Sequence, residues 1–234
     1  MSEKFAGYFR LVQACAEPGC PVCRCLAAES RRYLEALLYE QVTDVDTRRA
    51  IRRSWGFCNR HTWMLPEVGG ASLGTAIISD DLVRRVLART RERRARRPRA
   101  WLASLRRRSP TLVDLWKRRT ACPACAEAAA AEARYLETML TFTDDGELRA
   151  AYEFSDGLCV PHLVQAVERG PERAEALVAC TRQAWARIGS DLAGFLAKHD
   201  HRNREPYTEA EATACARALE MLAGARGVTP GPPR

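Results

Sequence analysis

A duplication is the feature that most constrains this chain. Cys20-Pro21-Val22-Cys23 returns 102 residues later as Cys122-Pro123-Ala124-Cys125. Tyr33-Leu34-Glu35 returns at the same offset as Tyr135-Leu136-Glu137. Gly56-Phe57-Cys58-Asn59-Arg60-His61 returns as Gly157-Leu158-Cys159-Val160-Pro161-His162 with the offset reduced to 101, so one residue has been lost between the blocks. Ser54 and Gly69 echo as Ser155 and Gly170. Any fold must therefore use one local plan twice.

What is duplicated is a ligand set. Each copy reads C-x2-C, then 34 or 33 residues, then C-x2-H, which is three thiols and one imidazole. Four such ligands close a tetrahedral site for Zn2+, and closed sites serve structure rather than catalysis. A tight turn lets C-x2-C aim both sulfurs at one centre, and residues three apart share a helix face, which suits C-x2-H. The spacing assigns Cys20, Cys23, Cys58 and His61 to one metal site and Cys122, Cys125, Cys159 and His162 to the other. The alternative is a cross-paired arrangement in which each site draws on both halves. Cys15 and Cys25 have no counterpart, since Lys117 and Glu127 stand there, and are read as spare thiols able to substitute as ligands.

Composition points to helices. Alanine, arginine, leucine and glutamate dominate the 234 residues and β-branched runs are scarce. The predicted class is all-α, two tandem pseudo-equivalent repeats each with a Cys3His site. The predicted divisions are a first repeat over 1–80, an arginine-rich helical connector over 81–119, a second repeat with a C-terminal helix over 120–226, and a disordered tail over 227–234. No stretch is apolar enough to span a bilayer and the N-terminus lacks an apolar signal core, so no membrane partner and a cytoplasmic location are expected. Ten cysteines in that setting argue for metal rather than a disulfide framework.

Along the chain, helices are expected over 3–16, 26–42, from the Asp44 turn to about Trp55, from Cys58, and from Ser72 into the arginines. Arg97-Pro98 marks a boundary, Trp101, Leu102 and Leu105 form an apolar patch, and Ser109-Pro110 starts the helix entering Cys122. The plan then repeats over 126–141, through Asp144-Asp145-Gly146 to Phe154, from Cys159, over 171–198 and over 208–222. Cys180 and Cys215 are expected in the core. His199 and His201, among charges at a helix end, are expected as an exposed cap rather than a metal pair.

These motifs resemble those of a family of uncharacterised prokaryotic proteins with a repeated CPxC…GFCxxH pattern. The resemblance rests on Cys20-Pro-Val-Cys23, Tyr33-Leu-Glu-Ala-Leu-Leu-Tyr-Glu, an Asp-x-x-x-Arg, and Gly56-Phe-Cys58-Asn-Arg-His61, and spans about residues 18–224. It implies an all-helical fold with cysteine/histidine metal sites at the positions above, and no activity. The second copy departs from the pattern at Leu158 and Pro161.

Three functions compete. The first is a non-enzymatic helical adaptor or regulator, meeting a protein partner and stapled by two zinc ions; no glycine-rich phosphate loop, G-x-S-x-G or H-E-x-x-H occurs in the sequence. The second is a redox or sensing protein holding an iron–sulfur cluster in each set. The third is nucleic-acid binding through residues 84–119, where fifteen Arg or Lys face only Glu92 and Asp114. That stretch carries a local +13 and leaves −5 elsewhere, out of a net +8. A thioredoxin-type use of Cys-Pro-x-Cys is disfavoured, because strands are not expected and each pair travels with a distant Cys-x2-His.

Overall fold

The computed structural model describes residues 4–91 and 112–228. Among them every regular element is helical. The expected boundary at Arg97-Pro98, the patch at Trp101, Leu102 and Leu105, the start at Ser109-Pro110 and residues 229–234 of the expected tail lie outside the described residues. The chain forms two compact units, Met1–Glu29 with Ala128–Arg234, and Ser30–Glu127. It passes from the first to the second within one helix and returns within another.

The first unit opens with α1, Ala6–Cys15, where Tyr8, Leu11, Ala14 and Cys15 form the buried stripe at helical spacing. Next comes the start of α2, Pro21–Glu40. The unit resumes in the later part of α7, Pro123–Thr141, and continues through α8, Gly146–Phe154, α9, Val160–Arg169, α10, Pro171–Lys198, and α11, Glu209–Ala223. Asp145 caps α8 by accepting from the backbone N–H groups of Glu147 and Leu148 at 3.2 and 3.3 Å. Thr208 and Glu211 form a full capping box on α11. The core gathers Leu11, Leu26, Leu136, Met139, Leu148 and Leu177. Burying each such side chain contributes about 2 kcal/mol.

The second unit holds the rest of α2, then α3, Val45–Ser54, α4, Asn59–Met64, a 3-10 turn at Leu65–Glu67, α5, Ser72–Arg91, α6, Leu112–Lys117, and the first turn of α7. Asp44 caps α3, accepting from Thr47 N at 2.7 Å. Arg52 grips Asp81 of α5 through two bonds of 2.7 Å, a bidentate pair that fixes α3 against α5. Leu34, Leu37, Leu38, Ile51 and Ile78 form its core.

Two expectations change. Cys215 is exposed and Cys180 only half-buried: the buried stripes of their helices fall on the adjacent residues Ala214 and Thr181, which leaves Cys215 facing solvent and Cys180 at the edge of the core. Residue 228, within the expected tail, is Val228 and is buried against the first unit's core. No described helix is long and apolar enough to cross a membrane.

Candidate metal centres

Each Cys-Pro-x-Cys lies at the N-terminus of a helix. Cys20 precedes Pro21 of α2 and Cys122 precedes Pro123 of α7, with each second cysteine one turn in. Proline suits that first position, where no N–H is needed. Each Cys-x2-His lies at another N-terminus. Cys58 is the N-cap of α4 and Cys159 that of α9, and the carbonyl of each accepts the first helical bond at 2.9 Å.

The structure brings the eight predicted residues together as two quartets, but across the repeats. Cys20, Cys23, Cys159 and His162 form one cluster in the first unit; Cys58, His61, Cys122 and Cys125 form the other in the second. The within-repeat grouping is thereby replaced by the cross-paired one. The reason is helix length. At about 1.5 Å per residue, α2 with 20 residues runs about 30 Å away from Cys23, while α3 with 10 returns about half of that. Trp55 and Gly56, with φ of 59° and 93°, turn the chain rather than extend it. In the second copy α7 has 19 residues and α8 only 9.

Within each quartet the ligand atoms lie within 4.8 Å of one another. In the first cluster Nδ1 of His162 lies 3.2 Å from Cys159 Sγ, 3.4 Å from Cys20 Sγ and 3.5 Å from Cys23 Sγ, and Cys23 and Cys159 stand 3.8 Å apart. In the second, His61 Nδ1 lies 3.2, 3.4 and 3.6 Å from Cys58, Cys125 and Cys122, and Cys58 and Cys125 are 3.5 Å apart. A tetrahedron with metal–sulfur bonds of about 2.3 Å has edges of about 3.8 Å. The donor set and its spacing therefore fit one ion per cluster.

Electrostatics agree with that fit. Burial alone would lower the His162 pKa, yet its bonds to Cys159, Cys20, Cys23 and Glu132 outweigh burial and raise it; three sulfurs around Nδ1 favour positive charge at that point. His61 is pushed down to about 4, by burial and then by Arg60, which keeps it in the neutral form that ligates. Burial and the neighbouring thiols push Cys125 up to about 12, and burial raises Cys122. Metal loading must displace those protons.

The loops before the Cys-x2-His pairs are fastened by the echoed serines. Ser54 Oγ donates to the carbonyl of Gly56 at 2.7 Å, with the carbonyls of Ala50 and Ile51 as alternative acceptors at 3.1 Å each. Ser155 Oγ donates to Tyr152 O at 2.7 Å and accepts from Gly157 N at 3.0 Å. α10 closes the second loop: Trp185 Nε1 donates to Leu158 O at 3.1 Å and Arg187 Nη2 to Ser155 O at 2.7 Å. Gly157, at φ 75°, lies so near α10 that an added Cβ would stand 3.1 Å from Thr181 Cα.

Sequence reasoning missed Glu132. His162 Nε2 donates to its Oε1 at 2.9 Å, and Gln165 Nε2 donates to the same oxygen at 2.9 Å. A glutamate inside an alanine-rich stretch, thirty residues before His162, was the available signal. It also missed Ala225, whose N–H donates to Cys23 Sγ at 3.3 Å. Cys15 and Cys25 are buried and belong to neither quartet, and burial pushes Cys15 up to about 12, with Cys25 and Cys20 adding to it. His199 and His201 are exposed; His199 caps α10 and stacks on Phe195 with ring centroids 5.9 Å apart. In the arginine-rich stretch, Arg84 pairs with Asp80 and Arg119 lies 4.2 Å over the Trp116 ring.

One family model, that of a family of unknown function (DUF6062), matches residues 11–228. Neither a curated protein nor a solved structure matches.

Proposed function

The chain belongs to that family of unknown function, so its role has to be read from its own residues, and we propose that it is a zinc-stapled helical adaptor or regulator. The observation that carries this reading is the geometry of the two Cys3His quartets, whose ligand atoms all lie within 4.8 Å of one another with contacts from 3.2 to 3.8 Å among them, a spacing that suits a single tetrahedral ion. Zinc would draw three thiolates and one imidazole together and fill all four positions, leaving none for a substrate. An iron–sulfur cluster places several metal atoms among its ligands and needs them further apart than the 4.8 Å limit here. Ten cysteines without a disulfide among the described residues suit a reducing compartment such as the cytoplasm. Exposed Trp63 and Leu73 on the second unit, and Phe154 and Leu196 on the first, suit a protein partner.

Elemental analysis with an absorption spectrum, on protein purified without oxygen, tests the reading. Two zinc per chain and no visible colour are expected. Iron with sulfide replaces it by the cluster reading, and protein that takes up no metal overturns both.

A further inference from the structure

The two quartets share a ligand list but not a surrounding. Cys20, Cys23, Cys159 and His162 are all buried, at most 3% exposed. In the other quartet His61 is buried, whereas Cys58 and Cys125 are partly open to solvent. Ligand exchange at zinc begins with a competitor reaching the ion or with one thiolate leaving it, so open thiolates offer an entry that buried ones deny.

The outer partners of the two histidines differ as well. His162 is held from behind by Glu132, which Gln165 braces; such a carboxylate fixes the ring and raises its basicity as a ligand. Counting seven residues past the second cysteine of each Cys-Pro-x-Cys leads to Glu132 in one copy and to Ser30 in the other. Among the described residues the buried Oγ of Ser30 and the buried Nε2 of His61 both lack a hydrogen-bond partner. The first quartet is also latched. Ala225 N donates to Cys23 Sγ, and Arg217 of α11 holds Asp156 at 3.1 Å while Asp156 takes the N–H of Gly19 at 2.8 Å. Freeing Cys20 and Cys23 means undoing α11.

Building on the zinc reading above, we infer that Cys58, His61, Cys122 and Cys125 form an exchangeable metal site. It yields its ion to a thiol-rich or chelating acceptor, or trades it for a softer metal, while the Glu132-backed site stays filled. Glu132 is a positioning residue for His162, and Ser30 marks where the equivalent support is missing.

The test uses the full chain loaded with zinc and a colorimetric pyridylazo chelator, with pulsed maleimide alkylation and peptide mapping to show which thiols are freed. Two release phases are expected, the first at least about tenfold faster, with Cys58, Cys122 and Cys125 alkylated in it. Glu132→Gln should speed the slow phase by about ten- to a hundredfold and leave the fast one alone. Ser30→Glu should slow the fast phase; should that buried acid prevent folding, the alkylation order and Glu132→Gln decide. Two zinc ions leaving together, or Cys20, Cys23 and Cys159 alkylated first, overturns this inference and leaves the zinc reading standing. A chain that binds no zinc overturns both.

Discussion

Cys23 and Cys159, 136 residues apart, place their sulfurs 3.8 Å from each other. That contact joins the first half of one copy to the second half of the other, and it makes a stoichiometric prediction. Cys20→Ser and Cys159→Ser should each cost one zinc, and the double variant should still retain one. Cys20→Ser combined with Cys58→Ser should lose both. Metal analysis of the four variants checks this; retention of one zinc by the Cys20/Cys58 pair would restore the within-repeat grouping.

The helices and the eight cysteine and histidine residues that gather into two quartets were legible in the sequence, because capping residues, apolar periodicity and thiol spacing are local signals. Asp44, Asp145 and Thr208 announce helix starts by chemistry that needs no knowledge of distant chain. The grouping of ligands was not legible from spacing, since 34 and 33 intervening residues suit either pairing. The signal lay in a mismatch of lengths: α3 and α8 are half as long as the helices they follow. Glu132 escaped because one buried acid on an alanine-rich helix has no periodic signature.

Chelation should melt the fold. Structural zinc contributes its binding free energy to folding, so removing both ions at neutral pH should lower Tm by about 10 °C or more. Circular dichroism before and after dialysis against a strong chelator measures it. An unchanged melting curve would show that the ions add nothing to stability.

Gly157→Ala should weaken the Glu132-backed site. The residue holds φ 75°, and its new methyl would meet Thr181 Cα at 3.1 Å. Strain of this kind costs about 1 to 3 kcal/mol, and the loop it distorts delivers Cys159. Gly69→Ala, where an added Cβ meets nothing within 4 Å, is the control and should melt as the parent does. Denaturant curves and zinc content of both variants report the outcome.

Alkali should unfold the chain through its phenols. Burial, followed by the bond to Glu29, raises Tyr135 from 10.0 to about 12, and burial likewise raises Tyr8, Tyr33 and Tyr152. The folded chain keeps protons that the unfolded chain releases. This stability is therefore fully present below pH 10.0 and is lost as the pH climbs from there to about 12. Phenolate absorbance and circular dichroism should change together in that window, and Tyr135→Phe should reduce the steepness. Four phenols titrating early with the helices intact would contradict it.

The interleaving of the two units sets an order of events at the ribosome. All four residues of the second unit's quartet are present once residue 125 has been made, whereas Cys20 and Cys23 must wait for Cys159 and His162. The unit over residues 30–127 could thus close its quartet, and load an ion on the zinc reading, while the other unit is still two separate pieces of chain. During that interval the earliest-made pair of quartet thiols, Cys20 and Cys23, is the pair left without its partners.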